Sequence, residues 1–192
     1  MFPIELKSAV EYLQHLIKPC NRHKDGRLNS AEDEDNIIQK LKDRYGSNVV
    51  EPKIREWYDV ELFGYKVNIK SSGMNGSDNA NAKAALLYCF TSGSVTNNTW
   101  SHFYDSFENV VNQGRNYYFI VFDKNTGKVY LQSLLTLAKL TPNGSNLPFQ
   151  VYWKDNLVPV ERSFEEAYDF LISAFKESVR KKLKAHIRYD NL

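Results

Sequence analysis

Three polar side chains near the middle of the chain have the types and the spacing for phosphodiester chemistry. In YDVELFGYKVNIK, from Tyr58 to Lys70, Phe63-Gly64 reads as a two-residue turn in which Gly64 supplies a positive φ. Leu62 then faces Tyr65, Val60 faces Val67, and Asp59 faces Asn68. Side chains alternate along a strand, so this register sorts the whole segment. Tyr58, Val60, Leu62, Tyr65, Val67 and Ile69 fall on one face; Asp59, Glu61, Lys66, Asn68 and Lys70 fall on the other. Asp59 offers Mg²⁺ a hard oxygen. Asn68 adds an amide oxygen or orients a metal-bound water, and Lys70 stabilises a pentavalent phosphate or helps deprotonate the attacking water. The same residues also describe an ordinary hairpin with a solvated polar face, braced by cross-strand pairs such as Glu61 with Lys66. Asn is depleted in strands, so its place in mid-strand asks for a reason.

The flanking segments must supply a scaffold for that hairpin. Leu6, Val10, Leu13, Leu16 and Ile17 have helical spacing over Ile4 to Lys18, and Pro19 stops the run. CNRHKDGRLN reads as a loop. Ser30 then caps a second helix with acids from Glu32 to Asp35 in its first turn, ended by Gly46. After the hairpin come a Gly/Asn-rich loop, GMNGSDNAN, an apolar helix, AKAALLYCF, and a polar loop, TSGSVTNNT. A helix is expected from Trp100 to Val111. YYFIVFD is continuously apolar, as in a buried central strand, and Asn125-Thr126-Gly127 turns it into KVYLQSLL. A long helix, capped by Ser163, runs to about His186, with Phe170, Leu171, Phe175, Val179 and Leu183 on its inner side. No repeat or linker divides the chain. The expectation is one α/β (α+β) domain over residues 1–192, with a mixed central β-sheet flanked by helices.

Tyr-Asp, a short turn and Val-Asn-Ile-Lys together resemble the PD-(D/E)xK site of type II restriction endonucleases. The resemblance implies a restriction-endonuclease-like core. It makes Asp59 the first metal-binding acid and Lys70 the lysine that assists the attacking water. Asn68 holds the second-acid position and departs from the strict pattern, as Tyr58 departs from the proline. The backbone carbonyl of Ile69 is expected to join the metal. The preceding helix resembles the family's N-terminal core helix, which often adds an acid; Glu34 or Glu32 would play that part. Asp78 to Lys83, Phe90 to Gly93, and Asn146 to Gln150 with Trp153-Lys154 are similar to segments of restriction enzymes that carry an Asn-Ile-Lys site. The resemblance spans roughly residues 30 to 185. It implies Mg²⁺-dependent hydrolysis of double-stranded DNA, with Mn²⁺ as a substitute metal. A homodimer is expected too, because cutting both strands of a symmetric site calls for two-fold symmetry.

Reading bases requires amide and hydroxyl groups on loops that reach the grooves. Ser71 to Asn81 supplies Ser71, Ser72, Asn75, Ser77, Asp78, Asn79 and Asn81; Thr91 to Thr99 supplies Thr91, Ser92, Ser94, Thr96, Asn97, Asn98 and Thr99. Lys83, Lys154 and Arg162 are candidate phosphate contacts, as is the basic end of the last helix. Ordinary turn-rich loops and a solvated helix face account for the same composition.

Composition excludes other classes. A net charge of +2 gives no global signal for nucleic acid, so any DNA contact must concentrate positive charge locally. The four histidines, His15, His23, His102 and His186, make no zinc pattern, and no phosphate-cradling glycine motif is present. Cys20 and Cys89 lack metal spacing and read as free thiols of a reducing compartment. No apolar run spans a membrane, and MFPIELKSAVEYLQ lacks a signal-peptide pattern, so a cytoplasmic location is expected.

Overall fold

A computed structural model describes residues 2–53, 56–80, 82–93, 95, 99–144 and 149–189. They divide into two compact units: Met1–Gly76 with Tyr118–Ser133, and Ser77–Tyr117 with Leu134–Leu192. The architecture is mixed α/β.

The first unit holds two helices, α1 (Ile4–Leu13) and α2 (Gly26–Tyr45), and a five-stranded sheet. The strands are β1 (Val49–Val50), β2 (Val60–Leu62), β3 (Tyr65–Ser72), β5 (Tyr117–Asp123) and β6 (Val129–Ser133), in the order β1-β2-β3-β5-β6. The β2–β3 register is the expected one: Val60 opposite Val67, Glu61 opposite Lys66, Leu62 opposite Tyr65. The turn holds Phe63 and Gly64 both at positive φ, +53° and +83°, which matches the right-handed twist of a tight hairpin. At the other end of β3, the Lys124 amide donates to the Ser72 carbonyl (3.0 Å). The ends of β3 and β5 therefore lie side by side, and the two strands run parallel. Val60, Leu62, Val67 and Ile69 are fully buried with Leu6, Leu13, Ile37 and Leu41 of the helices. All seven residues of β5 are buried, as its continuous apolar sequence predicts.

Both helices differ from expectation at one end. α1 stops at Leu13 rather than Lys18, because the Gln14 side-chain amide leaves the helix to bond the main chain of Val129 at both N–H and C=O. α2 starts at Gly26, ahead of Ser30. Asp25 is the cap, its carboxylate accepting the Arg27 amide (2.8 Å), while the Ser30 hydroxyl donates back to the Gly26 carbonyl. Glu32 to Asp35 thus sit beyond the first turn. They are free of the dipole role and available for contacts with other elements.

The second unit holds α3 (Ala82–Phe90), α4 (Trp100–Ser106) and α5 (Phe164–Tyr189), with a three-stranded sheet ordered β4 (Asp78–Ala80), β8 (Phe149–Val151), β7 (Thr141–Pro142). Part of the expected Gly/Asn loop is therefore strand, since Asp78, Asn79 and Ala80 pair with Val151, Gln150 and Phe149. α4 ends early because the chain after it bonds back to α3, the Val111 amide donating to the Phe90 carbonyl (2.8 Å). Leu183 of α5, expected on the inner side, is 56% exposed.

The expected start of α5 holds. Ser163 and Glu166 form a reciprocal capping box: the Glu166 amide donates to Ser163 Oγ (3.1 Å), and the Ser163 amide donates to Glu166 Oε2 (2.8 Å). Ser163→Ala is expected to destabilise the protein by about 1 kcal/mol, read as a lower urea midpoint with an unchanged slope. An unchanged midpoint would contradict the cap.

Candidate active site

The polar face of the hairpin divides into two parts. Near the turn, Lys66 bonds Glu61 across the strands and lies 4.2 Å from the centre of the Tyr58 ring. Burial disfavours the Lys66 charge, but Glu61 and Tyr58 outweigh it and the ammonium is held above its ordinary value. Tyr58, expected on the apolar face, thus packs beneath a residue of the polar one. This trio is a structural clasp.

Asp59, Asn68 and Lys70 form the far part. Along β3, Val67, Ile69 and Ser71 are buried, while Asn68 and Lys70 between them are half-buried, as the alternation requires. Asp59 precedes β2; its amide donates to the Val67 carbonyl (3.0 Å), and its Oδ2 accepts the Ile69 amide (2.7 Å). Past this point β2 no longer pairs with β3, and carboxylates replace the ladder. The next amide on the same edge, that of Ser71, donates to Glu34 Oε1 (3.3 Å). Two acids from different elements therefore occupy successive sites on one strand edge, at amides about 6.6 Å apart by the rise of an extended chain. The N–H and C=O of a strand residue point to the same edge, so the Ile69 carbonyl faces the gap between them. Lys70 stands between the two bonded residues in sequence. Among the described residues it makes no direct ion pair.

Burial pushes the Asp59 carboxyl above the usual range for aspartate; the Lys70 charge and the Ile69 amide pull it back only in part. Of the two candidate helix acids, Glu34 reaches β3. Glu32 is turned away, its oxygens held by Cys20 Sγ (2.7 Å) and His23 Nε2 (2.7 Å). Among the described residues, no three His, Cys, Asp or Glu side chains are arranged to hold a metal ion. The donors at the open edge are instead two carboxylates and one carbonyl, with Asn68 next in sequence to Ile69. That hard-oxygen set fits Mg²⁺, which usually binds one or two carboxylates and takes its remaining ligands from water and phosphate.

The expected DNA contacts fare unevenly. Ser72 is buried, its Oγ accepting the Met74 amide (3.2 Å), so it cannot read a base. Ser71 is buried too, with its hydroxyl given to Asp33 Oδ2 (2.6 Å), and Thr91 gives its hydroxyl to the Leu87 carbonyl. Asn75 is exposed in the first unit. In the second unit, Ser92 and Lys154 are exposed and Asn79 is exposed within β4, where its Oδ1 accepts from Asn143 (3.2 Å). Asp78 and Lys83 are half-buried, and burial holds the Lys83 ammonium below its ordinary value. Arg162 is engaged within the unit, bonding the Leu137 carbonyl (2.9 Å) and stacking on Phe170. Ser94, Thr96, Asn97 and Asn98 lie outside the described residues, as do Asn81 and the Asn146 to Pro148 segment. Asp33 was not legible as a site residue, and Ser71, expected on a base-reading loop, instead joins β3 to α2. The sequence signal for their contact is their adjacency to Glu34 and Lys70.

Comparison of the chain with protein-family models, with curated proteins and with solved structures finds no match.

Proposed function

We propose that the protein is a type II restriction endonuclease with a restriction-endonuclease-like core, hydrolysing phosphodiester bonds of double-stranded DNA in the cytoplasm as a homodimer. The observation that carries this reading is the open edge of β3. Asp59 and Glu34 occupy its successive free amides there, and Lys70 stands between the bonded residues. Asp59, Glu34, the Ile69 carbonyl and Asn68 would hold Mg²⁺, or Mn²⁺ in its place. When bound, the ion lowers the pKa of its water and offsets charge on the phosphate. Lys70 orients the attacking water and stabilises the negative charge that builds on the phosphoryl oxygens; the water gives up a proton as its oxygen bonds phosphorus, the bond to the 3′ oxygen breaks, that oxygen takes up a proton from solvent, and the phosphate stays on the 5′ side. Asn75 and Ser92 are exposed groups suited to bases, and Lys83 and Lys154 to phosphates.

The test is incubation of plasmid and linear duplex DNA with the purified protein and Mg²⁺ or Mn²⁺. Discrete fragments that disappear with a chelator are the expected result. Cutting confined to branched DNA would favour a structure-specific nuclease instead. Binding without cutting in either metal would favour a non-catalytic DNA-binding protein, the reading to which the missing charge at Asn68 leads.

A further inference from the structure

We infer that Asp33 is a positioning residue for Lys70 and Glu34, acting through Ser71; the inference rests on the nuclease reading of this site. Asp33 is 1% exposed, and both its oxygens are committed. Oδ1 accepts the Cys20 amide (2.7 Å), and Oδ2 accepts the Ser71 hydroxyl (2.6 Å). Among the described residues Asp33 makes no ion pair, and a buried carboxylate is expensive to desolvate. Packing alone would be served at lower cost by a neutral side chain. What the carboxylate adds is a short hydrogen bond of defined direction from the Ser71 hydroxyl, 2.6 Å.

That direction falls on the residue after Lys70. Consecutive residues of α2 take both hydrogen-bond donors of Ser71: Asp33 its hydroxyl, Glu34 its amide. Of the two contacts on Ser71, that of Asp33 is the shorter, 2.6 Å against 3.3 Å for Glu34. The Asp33 contact lies nearest the site and, with the Lys124 Nζ bond to Ser30 of the same helix, fixes how far α2 slides along β3 and so where the Glu34 carboxylate stands. It also fixes the twist of the strand end from which Lys70 projects. The opposite edge has bonds of its own, one of which also reaches α2. Lys124 bonds Ser72 O through its amide and Ser30 Oγ through Nζ (2.9 Å), and Asn125 Nδ2 bonds the Gly73 carbonyl (2.6 Å). Removal of the Asp33–Ser71 bond should therefore leave the strand folded but let its site-bearing end turn.

The experiment measures kcat and KM of DNA cleavage for the wild-type protein, Ser71→Ala, Asp33→Asn and the double variant, each shown folded by circular dichroism. Ser71→Ala is expected to lower kcat roughly tenfold to a hundredfold, the scale of a small misplacement at a reacting centre, with KM for DNA within about twofold. The double variant is expected to be no slower than the slower single variant, because the two groups act as one contact. A folded Ser71→Ala protein with wild-type kcat overturns the inference while leaving the nuclease reading standing, as do losses that simply multiply in the double variant. A wild-type protein that cuts no DNA in Mg²⁺ or Mn²⁺ overturns both. Should Asp33→Asn fail to fold, Ser71→Thr takes its place. It keeps the hydroxyl and is expected to recover the wild-type kcat, and a rate as low as that of Ser71→Ala overturns the inference.

Discussion

Lys70→Ala is expected to slow Mg²⁺-dependent cleavage of duplex DNA by roughly 10²–10⁴-fold, the usual range for loss of a group that handles a proton at the reacting centre. DNA binding and thermal stability should stay near wild type. The contrast follows from where the side chain sits. Lys70 is half-buried between two buried residues, makes no direct ion pair among the described residues, and is outside the apolar core. A surface change of that kind usually costs under about 0.5 kcal/mol. Lys70→Arg should not restore the rate, since a planar guanidinium keeps the charge but neither places it at the same point nor gives up a proton. The pH profile adds a signed test. The Lys70 charge helps keep the neighbouring Asp59 ionised. Without it the Asp59 carboxyl rises further, so the acid limb of the residual activity should move to higher pH. Single-turnover cleavage of a labelled duplex across pH, with binding measured in metal-free buffer, reads all of these. A variant within about threefold of wild type would leave Lys70 as a solvated strand lysine, since proton handling is worth at least about 10².

The hairpin was legible because its information is local. Alternation and a glycine turn decide which residues share a face, and neither depends on the rest of the molecule. Tyr58 was misplaced for the same reason. Face assignment by parity assumes a flat ladder, whereas Tyr58 lies before β2 begins, where its ring is free to turn under Lys66. The choice between Glu32 and Glu34 was not legible, because it depends on the rotation of α2 about its axis. That rotation follows from a cap at Asp25 rather than Ser30, and from a long-range bond between Asp33 and Ser71. Ser72 failed as a base reader on similar grounds: a serine at the start of a polar loop looks available until the strand is seen to run through it. β4 was hidden because Asp78-Asn79-Ala80 has turn composition and gains its strand character only from pairing with β8.

Asp59→Asn is expected to raise the melting temperature at pH 7 in metal-free buffer while abolishing cleavage, and the sign of the stability change should reverse in saturating Mg²⁺. Burial raises the Asp59 carboxyl above its unfolded value. A raised carboxyl favours folding in its protonated form. Its contribution is fully present below the unfolded value, near pH 4, and is lost as pH rises through the folded value. At pH 7 the ionised carboxylate is therefore a net burden on the fold. Asparagine removes the charge but can still accept the Ile69 amide through Oδ1, so stability rises; the gain should fade as the buffer is brought below about pH 4, where Asp59 is protonated in both states. Mg²⁺ changes the comparison. A ligand bound only by the native state stabilises it by about 2.7 kcal/mol at one hundred times its Kd, and the variant, lacking the anchoring carboxylate, should forgo most of this. Thermal melts of both proteins at pH 4 and pH 7, with and without Mg²⁺, distinguish the two uses of this residue. A hairpin whose Asp59 only ends a ladder would show the pH-dependent gain and no response to metal. A metal anchor would show both, because burial that penalises the free carboxylate also strengthens its attraction to a divalent cation.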